Sequence, residues 1–395
     1  MTDNATDMPT NTLNNWENGR WIGQTLEVEN GVCAVPSKIA PDNLEYTDEV
    51  KAATDHLYDE VSDFIPKFEW PAYAPLVHAI NKLKKEKNAV ILAHNYMTPD
   101  IFSLIGDYTG DSLGLAIEAT KTDADIIVQG GVHFMAETSK ILCPDKKILI
   151  PSLRAGCSLA SSITGEDVKL IKQRYPGIPI VTYVNTSADV KAESDICCTS
   201  SNAVAVVEHI CAERGVSQVI MLPDEFLAKN VARQTDIEVI AWHGRCEVHA
   251  RFSAQDIRDM RAANPGVTVL AHPECPPEVV EESDFTGSTK AMSDYVENHK
   301  PKNVILLTEC SMSDNVAMAN PDVDFVRPCN LCPHMKRITL ENIYTCLRDE
   351  KFEVKVSKRM AKKALRAVQD MIDLPPPGEK GHFDPKAKDV FVKVI

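Results

Sequence analysis

The sequence predicts an α/β fold made of three homologous α/β/α domains, and two observations support this prediction. First, three cysteines divide the chain evenly, because Cys246 follows Cys157 by 89 residues and Cys332 follows Cys246 by 86. Second, each block has the same order of elements: an apolar strand, a polar turn, a helix, a hydroxyl-bearing turn, a helix, and a further strand-and-helix unit. A long repeat with matching turns indicates triplication of one structural unit.

We therefore expect three three-layer domains with a pseudo-threefold arrangement around a central cluster and active site. A chain of 395 residues is long enough for two or three domains. The predicted units are an N-terminal extension at 1–70 that is partly disordered, domains at 71–157, 158–246 and 247–332, and C-terminal helices with a tail at 333–395.

Each block opens with a mostly apolar run, which is typical of a parallel strand covered on both faces. Two polar residues follow each run closely, and ligands of open α/β sheets bind at this carboxyl edge. We therefore expect these side chains to meet at one site. The runs and their polar residues are 89–93 with His94 and Tyr96, 178–182 with Tyr183 and Asn185, and 267–271 with His272 and Glu274.

A hydroxyl residue follows the last polar residue of each strand end by 15 or 16 positions. These residues are Ser112, Ser200 and Thr289. Such turns are typical helix N-caps. The same position offers N–H groups and a positive helix end to a carboxylate or phosphate. Both interpretations remain open at this point.

Apolar periodicity predicts the remaining elements. The Pro-rich stretch 66–75 is expected to separate two early helices. The further strands are predicted at 126–131, 147–151, 218–223, 238–242, 303–307 and 324–326. The predicted helices include 48–65, 76–87, a helix from 99, a helix from 113, 134–142, 203–211, 339–346 and 357–372. The short apolar run at 390–394 has no predicted partner.

Charge and composition exclude several classes of protein. A formal net charge of −15 argues against a nucleic-acid partner, and the basic runs 82–87 and 358–363 are interpreted as solvated helix faces. An apolar run long enough to span a membrane is absent from the sequence, and the polar N-terminus does not resemble a signal peptide. We expect a cytoplasmic protein, in which twelve cysteines indicate ligation or burial rather than disulfides.

The three repeated cysteines predict an iron–sulfur cluster. Cys157, Cys246 and Cys332 lie on equivalent loops bounded by Gly or Pro, and thiolates are the usual cluster ligands. Three thiolates leave one iron of a cubane open, and an open metal acts as a Lewis acid. Cys329 and Cys332 form a C-x-x-C pair, so a redox pair or half of a zinc site is an alternative. Other cysteines (Cys33, Cys143, Cys197, Cys198, Cys211 and Cys346) are interpreted as buried small hydrophobes.

Motifs between about residue 88 and residue 350 resemble those of the NadA family, the quinolinate synthases of de novo NAD biosynthesis. The matching segments, in family order, are 91–96, 110–113, 134–140, 155–159, 183–186, 272–275, 287–289 and 332–336. The resemblance implies a transferase that condenses iminoaspartate with dihydroxyacetone phosphate, giving quinolinate, phosphate and water. It also implies a [4Fe–4S] cluster on Cys157, Cys246 and Cys332, and a functional link to the aspartate-oxidising enzyme that supplies iminoaspartate.

The resemblance further implies the roles of nine polar residues. We expect Glu274 and His272 to act as general base and acid, and Tyr96, Tyr183 and His94 to position or protonate the triose-derived intermediate. The residues expected to bind substrate are His94, Ser112, Tyr183, Asn185, Ser200, His272, Glu274 and Thr289.

Three alternatives stay open at the level of sequence. A diphthamide-type aminocarboxypropyl transferase would share an open cluster and three domains, but the acidic charge and the His-Pro-Glu turn at 272–274 disfavour it. A non-catalytic iron–sulfur sensor or scaffold would have no use for three polar strand ends. A zinc-structural protein would lack the colour of a cluster.

Overall fold

The computed structural model describes residues 44–328, 330–375 and 382–395, together with the backbone of two short N-terminal strands. These strands, β1 (Trp16–Glu17) and β2 (Arg20–Trp21), pair antiparallel. Most of the predicted N-terminal extension, including Cys33, lies outside the described residues, and so does Cys329.

Two helices precede the first sheet, and both differ from their predicted bounds. They are α1 (Asp48–Thr54), which continues as a 3-10 helix at Asp55–Glu60, and α2 (Trp70–Glu86). The prediction of one helix over 48–65 was therefore wrong in length. The predicted start of the second helix at 76 was also wrong, because α2 begins at Trp70, within the Pro-rich stretch. Pro71 lies in the first turn of α2, where its missing N–H needs no intrahelical acceptor.

Three parallel sheets follow in chain order, each with its own helices. The first comprises β3 (Ala89–His94), α3 (Pro99–Leu104), β4 (Tyr108–Gly110), α4 (Ser112–Lys121), β5 (Ile126–Gly130), α5 (His133–Leu142) and β6 (Lys147–Leu149). The second comprises α6 (Ser158–Ser161), α7 (Gly165–Arg174), β7 (Ile180–Tyr183), α8 (Ala188–Glu193), β8 (Ile196–Cys198), α9 (Ala203–Arg214), β9 (Gln218–Leu222), α10 (Glu225–Ala232) and β10 (Glu238–Ala241).

The third sheet repeats this arrangement. It comprises α11 (Ala254–Ala263), β11 (Thr268–Ala271), α12 (Pro277–Glu281), β12 (Phe285–Gly287), α13 (Thr289–His299), β13 (Asn303–Leu307), α14 (Cys310–Ala319) and β14 (Asp324–Val326). The parallel strands are ordered β4-β3-β5-β6 in the first sheet, β8-β7-β9-β10 in the second and β12-β11-β13-β14 in the third. All three sheets therefore share one topology, and the predicted α/β fold class is confirmed. The predicted domain bounds stay a prediction.

An aspartate at the same place in each sheet shows how closely the units match. Asp107, Asp195 and Asp284 each precede the three-residue second strand of their sheet. Their carboxylates accept the backbone N–H of Ile91, Ile180 and Val269, with N···O distances of 2.8, 2.9 and 2.8 Å. Each aspartate also donates its own N–H to the carbonyl of the same partner residue. This reciprocal pair fixes the register between the first two strands of each sheet.

The C-terminal part of the chain adds an edge strand to two of the sheets. Its elements are α15 (Leu340–Asp349), α16 (Lys358–Asp373), β15 (His382–Phe383) and β16 (Lys393–Val394). Helix α16 packs against α8 and α5, β15 pairs antiparallel with β12, and β16 pairs parallel with β10. The apolar run at 390–394 thus ends on the edge of the second sheet. Among the described residues, none of the helices has both the length and the apolarity needed to cross a membrane.

Asp195→Ala is predicted to lower the free energy of unfolding by about 1–3 kcal/mol, because the buried N–H of Ile180 loses its charged acceptor. Urea unfolding measures this change. Asp322→Ala, at an exposed position, is the matched control and should leave the unfolding midpoint in place. Equal stability of both variants would contradict the structural role of the repeated aspartate.

Candidate active site

The first strand of each sheet leads to one shared cavity, which residues of all three units line. Every site residue singled out in the sequence lines it, and the three units contribute side by side. These residues are His94, Tyr96, Ser112, Tyr183, Asn185, Ser200, His272, Glu274, Thr289, Cys157, Cys246 and Cys332. The structure brings them together, while the individual roles assigned to them stay predictions.

The carboxylate of Glu274 lies at the junction of these contributions. Its Oε1 accepts a hydrogen bond from the Tyr183 hydroxyl at 2.5 Å and another from Asn185 Nδ2 at 3.4 Å. Its Oε2 lies 2.8 Å from Nδ1 of His249. Glu274 is 3% exposed, so these partners replace the water that an ionised carboxylate needs. One side chain of the third unit is thereby fixed by residues of the second unit and of the Cys246 loop.

The surroundings of Glu274 favour its ionised form. Burial alone would raise the pKa of Glu274, but the adjacent His249, with the hydrogen bonds from His249 and Tyr183, holds it below its ordinary value. Burial, and then the charge of Glu274, raise the pKa of Tyr183 well above its usual range. The pair is therefore an ionised carboxylate that accepts a hydrogen bond from a neutral phenol. Glu274 is thus in the protonation state that a general base requires.

Two histidines at strand ends are held as neutral rings with a defined tautomer. Nδ1 of His94 accepts the N–H of Tyr96 at 3.1 Å, and Nδ1 of His272 accepts the N–H of Glu274 at 3.3 Å. A neutral imidazole that accepts at Nδ1 carries its proton on Nε2. Burial lowers the pKa of His94 to about 4 and that of His272 to about 3. Both rings therefore provide an Nε2–H donor at neutral pH.

His249 is a site residue that the sequence analysis missed. It begins the 3-10 helix at His249–Arg251, directly after the Cys246 loop, and it also lines the cavity. Its Nδ1 lies 3.2 Å from Sγ of Cys246, and its ring stacks on that of His272 with centroids 4.6 Å apart. The donor atoms of Cys246, His249 and Glu274 lie within 4.8 Å of one another, as in a metal-binding group. The C-x-x-H spacing at 246–249 was the available sequence signal.

The hydroxyl turns of the first and third units cap the helices that follow them. The helix caps are the residues one position earlier: Asp111 accepts the N–H of Gly114 at 2.8 Å, and Ser288 accepts the N–H of Ala291 at 3.3 Å. Ser112 and Thr289 are instead the first residues of α4 and α13. The turns therefore cap these two helices as predicted, through the residue before the hydroxyl residue, which has the extended backbone that a cap requires. Their side chains face the cavity at the positive ends of two helices.

The three cavity cysteines fit a soft metal centre. Burial raises the pKa of Cys157 to about 12 and that of Cys332 to about 11, and it raises that of Cys246 well above its usual range. The charge of Cys332 raises the pKa of Cys157 further, and the charges of Glu274, Cys157 and Cys332 raise that of Cys246. Thiolates at these positions therefore need a positive partner. Three sulfur donors suit iron–sulfur clusters or other soft metals. The described cysteines assigned to burial are buried: Cys143, Cys197, Cys198, Cys211 and Cys346.

Two of these cysteines are anchored by buried acids at equivalent positions. Asp224 follows β9, and its Oδ2 accepts the N–H of Cys246 at 3.3 Å. Glu309 follows β13, and its Oε1 accepts the N–H of Cys332 at 3.4 Å. Each acid also caps the helix that follows it. The thiol loops of the second and third units are thus tied to their sheets in the same way.

The fold and the cavity define a three-unit α/β protein whose thiols and ionisable side chains converge on one centre. The sequence profile of the NadA family, described as quinolinate synthetase A protein, matches residues 78–373. This match covers more than half of the chain. The chain therefore belongs to the quinolinate synthase family, and the resemblance seen in the sequence is confirmed.

Similar curated proteins extend the match beyond the profile. Quinolinate synthase of Caulobacter vibrioides is 63% identical over 339 residues, covering 86% of this chain and 92% of that protein. Quinolinate synthase 2 of Mesorhizobium japonicum is 63% identical over 316 residues, covering 80% and 96%. Quinolinate synthase of Xylella fastidiosa is 62% identical over 296 residues, covering 75% and 86%.

Replacing Cys157, Cys246 or Cys332 singly with Ser is predicted to abolish stable iron binding, because two remaining thiolates do not complete the donor set. Iron per chain after anaerobic reconstitution measures the effect. Cys211→Ser, at a buried position outside the cavity lining, is the control and should bind as much iron as the unaltered chain. Equal iron content in all four variants would contradict the assignment.

Proposed function

We propose that this chain is a quinolinate synthase, which condenses iminoaspartate with dihydroxyacetone phosphate to quinolinate with release of phosphate and water. Family membership supports the proposal. The observation that carries it is the convergence of three cavity thiols with the Glu274 carboxylate and its partners Tyr183, Asn185 and His249. Proton-transfer groups beside a soft-metal donor set suit a condensation followed by dehydration.

We also propose that Cys157, Cys246 and Cys332 hold a [4Fe–4S] cluster. When bound, such a cluster supplies an open iron that polarises substrate oxygens as a Lewis acid. The buried thiols and the soft donor set support this proposal. Since Cys329 lies outside the described residues, the choice of Cys332 rests on its position in the cavity lining and on the family motif.

The chain's own residues supply the acid–base chemistry. Glu274 is ionised and desolvated, so it can take the proton that enolisation of the triose releases. The Tyr183 hydroxyl keeps its proton and donates a hydrogen bond to Oε1 of Glu274, which orients that carboxylate. As neutral imidazoles, His272 and His94 present Nε2–H groups that can donate hydrogen bonds to a substrate oxygen. These assignments give the base and the hydrogen-bond donors separate positions in one cavity.

Anionic substrate groups are expected to bind without cationic side chains. None of the described residues that line the cavity is Lys or Arg. The N-termini of α4 and α13 and the hydroxyls of Ser112, Ser200 and Thr289 offer neutral donors and positive helix ends instead. We propose that they hold the substrate carboxylates and the phosphate. We also propose that an aspartate-oxidising enzyme supplies the iminoaspartate.

The similar proteins are quinolinate synthases, so they give no support to the aminocarboxypropyl transferase alternative.

A direct test of the proposal is to reconstitute the chain anaerobically with iron and sulfide and to measure quinolinate from iminoaspartate and dihydroxyacetone phosphate. Quinolinate formation is the expected result. A reconstituted chain that binds iron but forms no quinolinate would overturn the proposal.

Glu274→Gln is predicted to lower the rate of quinolinate formation by about 100-fold or more, because the amide cannot accept the proton. Iron content should stay unchanged, since Glu274 is not among the proposed cluster ligands. Glu278→Gln, on the exposed side of α12, is the control and should keep full activity. Full activity of Glu274→Gln would exclude Glu274 as the base.

His249→Asn is predicted to reduce activity by about 10- to 100-fold, because it removes a partner shared by Cys246 and Glu274. Steady-state rates of anaerobically reconstituted protein measure the loss. His209→Asn, exposed on α9, is the matched control. If both variants were equally active, His249 would have no role in the site.

A further inference from the structure

A fully buried lysine lies just outside the cavity lining. Lys191, on α8, is 0% exposed. Its Nζ donates to the carbonyl of Val184 at 2.8 Å and to the carbonyl of Thr186. These two carbonyls belong to the turn that carries Tyr183 and Asn185. Burying an ammonium group is costly unless it is hydrogen-bonded, and here its bonds go to the backbone on both sides of Asn185.

A buried glutamate of the first unit binds the backbone directly after the same turn. Glu137, on α5, is 3% exposed, and its Oε2 accepts the N–H of Ala188 at 3.0 Å. Ala188 is the first residue of α8, and its N-cap residue Ser187 makes no side-chain cap bond. Glu137 therefore supplies the missing cap across the boundary between two units. The end of the turn is held by the first unit and its middle by Lys191.

The electrostatics of this pair reflect its burial. Burial raises the pKa of Glu137 to about 8 and lowers that of Lys191, and the charge of each opposes the shift of the other. Lys191 Nζ also lies 5.6 Å from the ring centroid of Phe134, which lines the cavity. The cation–π contact adds to the hydrogen bonds that hold the ammonium group.

The position of this turn determines whether Tyr183 and Asn185 reach Glu274. The Tyr183 hydroxyl lies 2.5 Å and Asn185 Nδ2 lies 3.4 Å from the same Glu274 oxygen. Tyr183 and Asn185 are the residues directly before and after Val184, whose carbonyl accepts a hydrogen bond from Lys191. A displacement of the turn by about 1 Å would weaken both hydrogen bonds and misplace the Tyr183 hydroxyl that orients Glu274.

We propose that Glu137 and Lys191 are positioning residues that hold the 183–187 turn so that Tyr183 and Asn185 engage Glu274. Neither residue lines the cavity, so they act through the turn rather than on substrate. The inference rests on the proposed function, in which Tyr183 orients the general base.

A double-mutant cycle tests this inference on the reconstituted full chain. Lys191→Met should lower kcat by about tenfold or more, while KM for dihydroxyacetone phosphate changes by less than about threefold and iron content is unchanged. If Lys191 acts through Tyr183, adding Lys191→Met to Tyr183→Phe should cause little further loss. Multiplicative losses in the double variant, or a kcat of Lys191→Met equal to that of the unaltered chain, would overturn the proposal.

Conservative and control variants separate positioning from general destabilisation. Glu137→Gln keeps an oxygen that accepts the N–H of Ala188, so its kcat should stay within about threefold, whereas Glu137→Leu should lose about tenfold or more. Lys140→Met, also on α5, removes a hydrogen bond to the Lys146 carbonyl and should leave kcat unchanged. Equal losses in Glu137→Gln and Glu137→Leu would contradict the capping role.

Amide hydrogen exchange does not require turnover, so it tests the positioning of the turn even if the proposed function fails. Amide hydrogen exchange over 183–190 should rise in Lys191→Met and stay unchanged in Lys140→Met. If the unaltered chain forms no quinolinate, the proposed function fails, and faster exchange in Lys191→Met still supports the hold on the turn. Unchanged exchange in that variant would overturn the inference whatever the activity.

Discussion

The buried carboxylate of Glu274 is the group on which the arrangement of the site depends. An ionised carboxylate that is 3% exposed requires donors, and here they come from Tyr183 and Asn185 of the second unit and from His249 beside Cys246. Satisfying this one charge therefore fixes the second unit against the third and places a proton acceptor next to the proposed cluster thiols. The second and third units are coupled here by an electrostatic requirement as well as by packing.

Triplication supplies the scaffold, and divergence at equivalent positions supplies the chemistry. The three sheets share one strand order and one register-fixing aspartate, so their first strands end in the same local setting. The strand-end pairs nevertheless differ, with His94 and Tyr96 in the first unit and Tyr183 and Asn185 in the second. The third unit presents His272 and Glu274. A common backbone thus brings imidazole, phenol, amide and carboxylate groups to one cavity, as expected where parallel strands end.

Sequence reasoning predicted the features that depend on local pattern. Apolar runs predicted β13 and β14 with their observed bounds, and strand-end position predicted the residues that meet in the cavity. It missed β4, β8 and β12, which are three residues long and exist because each pairs with a longer strand. It also missed His249, which belongs to a loop outside the repeated strand ends. Tertiary pairing and side-chain reach decide such features, and neither is written in local periodicity.

We propose that three thiols from three repeated units hold one iron–sulfur cluster beside Glu274. Anomalous diffraction at the iron absorption edge, from crystals of anaerobically reconstituted protein, tests it most directly. The expected result is one four-iron cluster in the cavity, in which Cys157, Cys246 and Cys332 each bond a different iron and the fourth iron has no cysteine ligand. Iron bound outside the cavity, or held through Cys329 in place of Cys332, would contradict it.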